Sequence, residues 1–477
     1  MPDLPSDVIT DILTRLPVKY LLRSRCVSKP WCALIDGPKF IKMHLDRSIK
    51  TSSILTLIFE GRGTLYSVEH DSLQTATEVD TPFENSNIAD VFGSCNGVIL
   101  LSMRKSTIAM FNPSTRRYHA LPTCPVEYLD GAVGTHETYG LGYDVAGDDY
   151  KVIRINEFRD KNQNWVTSEA KVYSLKSDSW RRIKDFPYCV PYKRVWGASV
   201  EGRLHTVVKQ NWTPNKSRMI VAFDIGAEAF HLVPFPEFLD KDFLGMRMEV
   251  LEECLCLVGA YMDMRTDIWV MKDYGVMESW TKLISVVDPC IDITPLVYSK
   301  GRNEVLLNYE DNRLVWYDLV RKTVRNVEVR GLPSPFSAEV CVESLVSLPS
   351  GSIHELNKPH EQEKKRDKNR KKRAKDQGME EASATTRPRL MKGDNYSHWK
   401  NQMRNFLRQE AHLWYVVENG PIIPVKDGPE GTKVPKGILE MDAQDAHLFS
   451  MDDRAKNRIC CGLGMNVYNR VSACETA

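Results

Sequence analysis

The sequence predicts a multidomain protein: a small all-α module, a large all-β domain of propeller type, a charged disordered linker and a small α-helical C-terminal segment. Three observations carry that order. Apolar residues fall on helical spacing from Leu4 to Leu45. Residues 53–346 hold short β-branched and aromatic runs with a recurring strand–turn–strand unit. Beyond them the composition turns charge-dense and then helical. The boundaries fall at 1–46, 53–346, 357–389 and 390–477.

The chain has 477 residues, room for several domains, and a formal net charge of +1. No global field therefore draws it to nucleic acid or to a membrane surface. Its 12 cysteines are scattered, with no Cys-x-x-Cys pair and no His/Cys cluster at finger spacing, so a structural zinc site is not expected. No charged-then-apolar leader opens the chain. No apolar run approaches the roughly 20 residues that span a bilayer. The expected setting is reducing, in the nucleus and/or cytoplasm, with free thiols and no membrane contact.

In the first module Val8, Ile9, Ile12, Leu13 and Leu16 share one helix face. Ser6 or Asp3 is placed to cap that helix, and Pro17 ends it and opens the next, through Val18, Leu21 and Leu22. Ser28 is the expected N-cap of a third helix carrying Trp31, Leu34 and Ile35, which Gly37-Pro38 ends. Three helices this short bury no adequate core alone. They read either as a docking device for another protein or as a cap on the larger domain.

The words themselves are more specific. Leu4-Pro5, Ile9, Ile12-Leu13, Arg15-Leu16-Pro17-Val18-Lys19, Leu21-Leu22, Arg25-Cys26-Val27-Ser28-Lys29 and Trp31 closely resemble the F-box. The resemblance implies docking onto a Skp-type adaptor, and through it onto cullin and RING subunits of a ubiquitin ligase. The contact residues it implies are Leu4, Pro5, Ile9, Ile12, Leu13, Leu16, Pro17, Leu21, Cys26, Val27 and Trp31, with Trp31 as the anchor. Ser24 and Pro30 depart from the motif, which has Phe and Ser there. Pro30 falls in a first helical turn, where proline is tolerated.

The β region repeats a unit of an aromatic, a small polar residue, a turn and a bulky residue. It occurs at Met110–Pro122, Val172–Ile183, Ala222–Pro234, Ile268–Leu283 and Trp316–Val327. The period is kelch-like, about 50 residues, with a longer first gap. Four-stranded blades around an axis fit that spacing and remove free edges by closure. A large β-sandwich or an irregular pair of sheets is the alternative. The phrases Gly93-Ser94-Cys95-Asn96-Gly97, Phe111-Asn112-Pro113-Ser114-Thr115 and Gly140-Leu141-Gly142-Tyr143-Asp144 with Asp149-Tyr150-Lys151-Val152 resemble the plant F-box-associated domain. That resemblance implies a target-recruiting role. The phrases themselves read as turns: Asn96-Gly97 is a hairpin signal, and Asn112–Thr115 and Asp148-Asp149 are turn-forming.

A catalytic constellation is not visible. His119, His136, His205 and His231 stand without a motif, and Gly140-x-Gly142 is followed by no helix. There is no nucleophile elbow, His-Glu-x-x-His or phosphate loop, so neither an enzyme nor a cofactor is expected.

In the linker, Lys364-Lys365-Arg366 and Arg370-Lys371-Lys372-Arg373 form a bipartite basic cluster resembling a nuclear import signal. It reads equally as a solvated linker, with weak, salt-dependent nucleic-acid contact. After it, Trp399, Met403, Phe406 and Leu407 fall on helical spacing. A Pro/Gly-rich loop and a second run through Leu448, Met451, Ala455 and Ile459 follow. Leu390–Trp399, Leu413–Gly420, Ala455-Lys456-Asn457, Cys461-Gly462-Leu463 and Tyr468–Ser472 resemble the gag polypeptide of copia-type retrotransposons. The expected function is therefore a non-catalytic substrate receptor of an SCF-type ubiquitin ligase. The alternative is a nucleic-acid-associated or self-assembling protein derived from the gag-like fusion.

Overall fold

In the computed structural model the described residues are 5–349, less 52–54, 83–87, 104–106, 127–132, 160–164, 190–195, 197, 210–217, 237–242, 262–264, 288–291 and 310. A short ladder at Val425–Asp427 and Lys433–Pro435 is described as well. The chain forms two compact units, Met1–Lys358 and Pro359–Ala477. In the second, the ladder falls within the stretch read as a Pro/Gly loop. The expected basic linker and both gag-like helices lie outside the described residues.

The first unit opens with four helices rather than three: α1 (Ser6–Thr14), α2 (Val18–Ser24), α3 (Lys29–Ile35) and α4 (Pro38–Thr51). Pro17 stands at the N-cap of α2, and Ser28 caps α3, its Oγ accepting from Trp31 N at 3.3 Å. The expected side-chain cap of α1 is absent. Pro5 holds the N-cap, and the Ser6 hydroxyl instead donates to Asp7. Gly37-Pro38 does close α3, but proline also suits a first turn, so the same pair opens α4. That helix buries Phe40, His44, Leu45 and Ser48 along one stripe of a largely polar sequence. The helical module therefore runs to Thr51, past the expected boundary at 46.

Behind it, the described strands form six four-stranded antiparallel sheets, arranged as the blades of a propeller. Blade 1 holds Ile88–Cys95, Val98–Met103, Thr107–Asn112 and Arg117–Ala120. Blade 2 holds Val133–Asp144, Asp149–Arg159, Trp165–Ser174 and Ser179–Arg182. Blade 3 holds Ala198–Val200, Arg203–Lys209, Arg218–Asp224 and Ala229–Val233. Blade 4 holds Phe243–Leu251, Cys254–Tyr261, Arg265–Met271 and Trp280–Val287. Blade 5 holds Ile293–Tyr298, Glu304–Tyr309, Arg313–Asp318 and Val324–Val327.

Blade 6 joins the two ends of the ring. Its inner strand is Ser337–Val342, which pairs antiparallel with Leu55–Gly61 from Leu55↔Val342 to Glu60↔Ser337. Thr64–Glu69 and the two-residue Thr77–Glu78 complete it. Each neighbouring pair of blades shares its own apolar cluster. Leu100 and Met110 pack against Leu141 and Tyr173 between blades 1 and 2, and Leu57 and Phe59 against Leu306 and Trp316 between blades 6 and 5. Middle strands are buried on both faces, which is why Val98–Met103 is apolar throughout.

The five sequence repeats are the outer hairpins of blades 1–5. Their polar residue organises the turn: Asn112 Oδ1 accepts from Ser114 N at 2.9 Å, Asp224 Oδ1 from Ala227 N at 2.8 Å, and Asp318 Oδ1 from Val320 N at 2.9 Å. The bulky residue ties blades together. Trp180 Nε1 donates to Pro122 O at 2.8 Å, and Trp280 Nε1 to Pro234 O at 3.0 Å. The long first gap reflects blade 2, whose first three strands run 12, 11 and 10 residues.

Candidate functional site

The helices sit at one end of the propeller. First-to-second and third-to-fourth turns of every blade lie at the same end, because antiparallel strands alternate. The chain enters blade 6 from α4 at that end and leaves it again after Val342. Tyr143 donates to Asp148 in the blade 2 turn there, holding that carboxyl below its usual range, with Lys176 and Lys42 of α4 adding to the effect.

The module's own core consists of Leu13, Val18, Leu21, Ile35 and Phe40, and Leu345 from beyond the propeller's last strand joins it. Of the adaptor residues expected from sequence, Leu13 and Leu21 are thus interior; Leu21 is 0% exposed. Ile9, Leu16 and Trp31 are half-buried against this core, and Pro17 is half-buried beside them. Pro5, Ile12, Cys26 and Val27 are exposed, Ile12 by 47% and Val27 by 64%. Leu4 lies outside the described residues. Sequence reasoning left out Tyr20, which is exposed, and placed Val8 on a helix face without naming it as a contact, although it too is exposed. Val8 lies one turn from Ile12 on α1, so an i, i+4 count finds it.

The result is a set of exposed apolar side chains left over after the module's core is complete. The same helical module carries exposed ion pairs, Arg15 to Asp11 at 2.7 Å and Arg25 to Asp36 at 2.7 Å. Such exposed pairs add little stability and keep the surroundings polar. A groove lined by Thr10, Thr14, Leu34, Phe40, Met43 and Arg47, with a volume of about 940 Å³, runs between α1, α3 and α4.

Where module and propeller meet, Glu343 Oε2 accepts from Val18 N at 3.2 Å. Burial raises the Glu343 pKa above its ordinary value, as does nearby Glu69, against the opposing pull of Val18 N, the Thr56 hydroxyl and Lys19. A carboxyl whose folded-state pKa is raised binds its proton more tightly when folded. Stability then falls as pH rises from the ordinary value through the raised one. Glu343→Gln removes that dependence, so its thermal midpoint is expected to gain on wild type as pH rises above the ordinary carboxylate range. A variant-minus-wild-type difference that stays flat or falls as pH rises contradicts the assignment.

Two of the propeller's histidines pack within it or between its blades. His205 is buried, hydrogen-bonded to Ala198 O at 3.0 Å and Tyr274 OH at 2.8 Å, and burial lowers its pKa to about 4. His119, which stands alone in sequence, meets Tyr173 OH at 2.8 Å and Asp178 at 3.1 Å across the blade 1–2 boundary. Among the described residues no group of His, Cys, Asp or Glu is arranged to hold a metal ion. No described helix is long and apolar enough to cross a membrane.

Comparison with known proteins matches the F-box domain at residues 1–43 and the F-box associated beta propeller domain at residues 47–346. The chain is 38% identical over 387 residues to F-box protein CPR1 of Arabidopsis thaliana, covering 76% of this chain and 94% of that protein. It is 32% identical over 366 residues to F-box protein At4g22390 of the same plant, covering 72% and 90%. Among solved structures, the Dos1 propeller aligns at 9% identity over 61% of this chain and 74% of that one, with a TM-score of 0.29, too low to carry an argument. With its helical module and its six blades each accounted for, the chain belongs to the family of F-box proteins that carry an F-box-associated β-propeller.

Proposed function

We propose that this protein is the non-catalytic substrate-receptor subunit of an SCF-type E3 ubiquitin ligase. The observation that carries this reading is the exposed apolar set Val8, Ile12, Tyr20 and Val27 on a module whose own core is already filled. A Skp-type adaptor takes that surface and links the chain to cullin and RING subunits. The propeller takes a target protein at the end away from the helices. There Arg265 lies over the Tyr261 ring at 4.1 Å and Arg313 over Tyr309 at 4.8 Å, at two successive blade tips. The mechanism is proximity: the complex raises the effective concentration of target lysines at the E2 thioester. We place its action in the nucleus and/or cytoplasm. The nucleic-acid or self-assembly alternative rests on the basic linker and the gag-like segment, which lie outside the described residues.

Proximity labelling in plant cells with the proteasome blocked tests this. Wild type is expected to label adaptor, cullin and an accumulating target. Ile12→Asp/Val27→Asp loses adaptor and cullin and keeps the target. Equal adaptor labelling in both overturns the reading.

A further inference from the structure

We propose that residues 343–348 form an interlock that makes the order of the adaptor-docking helices conditional on closure of the propeller ring. These residues follow directly on Ser337–Val342, the strand that closes blade 6. They are fastened at both ends. On the helical side Leu345, 6% exposed, completes the module's core beside Leu13, Leu21 and Phe40, and Glu343 accepts from Val18 N.

On the propeller side the fastening is polar and then apolar. Asn112 of blade 1, itself fully buried, donates through Nδ2 to Ser344 O at 3.1 Å and to Val346 O at 2.8 Å. Its other amide atom is committed to its own turn, so the side chain is locked. Gly97, at φ +81°, leaves room for the strap. A Cβ there runs into the Ser344 side chain and the Val342 carbonyl. Leu348 and Val346 then pack into the blade 1–2 cluster.

The logic follows from size. Four short helices bury too little apolar surface to order themselves in water. Their missing core residue arrives only when the last strand has paired with the first. A chain with an open ring therefore offers a poorly ordered surface to an adaptor, so adaptor is drawn to receptors whose propeller has closed. That consequence rests on the receptor reading; the interlock itself does not.

Hydrogen exchange on the full chain tests it. Asn112 makes its described hydrogen bonds to the strap and to its own turn. Asn112→Ala is nonetheless expected to speed amide exchange in α1–α4 at least about tenfold, while blades 3–5 keep wild-type protection. Leu345→Ser produces a larger effect of the same pattern, and Leu345→Met restores protection. The interlock is overturned if Asn112→Ala leaves helix exchange unchanged, or if every blade loosens as much as the helices. Binding of a purified Skp-type adaptor separates the two readings. Coupled exchange with no adaptor binding by wild type removes the receptor reading alone. Unchanged exchange with normal adaptor binding removes the interlock alone.

Discussion

Ile12→Asp is expected to weaken binding of a Skp-type adaptor by at least about a hundredfold while the helices stay folded. Ile12 is half in solvent, so an aspartate there keeps its water until the partner arrives. Docking then has to strip that water from a carboxylate and forfeits the apolar contact. The two effects together exceed the roughly 2.7 kcal/mol that a hundredfold change requires. Leu13→Asp, one residue on, also abolishes binding, but for another reason. Leu13 is 2% exposed, and a carboxylate in that core unfolds the module. Titration calorimetry with purified adaptor, read beside helical circular dichroism, distinguishes them. Ile12→Asp with wild-type affinity places the docking surface elsewhere. Ile12→Asp with lost helicity makes Ile12 a core residue after all.

Lys151→Ala is expected to lower the stability of the propeller by about 3 kcal/mol, the usual cost of orphaning buried charges. The Lys151 ammonium lies 2.9 Å from Asp144 and 2.8 Å from Glu228, all three side chains largely buried where blade 2 meets blade 3. It also donates to Ile225 O at 3.2 Å. Glu228 is held from the other side by Arg181. Asp144 sits below the usual carboxylate range, chiefly because Gly147 N donates to it and then because of Lys151. Removing the ammonium leaves two carboxylates facing one another, Glu228 with Arg181 and Asp144 with Gly147 N as their remaining partners. The urea midpoint measures the loss at neutral pH, and it shrinks in acid as pH falls through the lowered pKa of Asp144. A loss under about 0.5 kcal/mol means that water reaches the site and the pair is a surface one.

Different parts of this protein were legible in the chain to different degrees. The outer hairpins of blades 1–5 announce themselves because each repeats the same turn chemistry, as at Asn112, Asp224 and Asp318. Blade 6 does not, since its inner strand comes from the far end of the domain and its outer strand is only Thr77–Glu78. The fourth helix was hidden because Gly37-Pro38 serves as a stop and a start alike. Among the adaptor residues, helical spacing groups Ile12 with Leu13 on one apolar face. It does not say which of the two a neighbour has already covered.

The sequence by itself determined the order of helical module and β-propeller, the α1–α3 helices with Pro17 and Ser28 as their punctuation, and the turns that space the blades. Each depends on contacts between residues a few positions apart, and such contacts are written locally. Tertiary structure alone decided the ring's closure at Leu55↔Val342, the burial of Lys151 between two carboxylates, and which apolar helix residues face out. It also brought Leu345 to Leu13 and Glu343 to Val18. Those pairs are joined only by folding a chain in which they stand more than three hundred positions apart, Glu343 and Val18 by 325. No local pattern encodes a contact at that separation, because its stability comes from completing the ring.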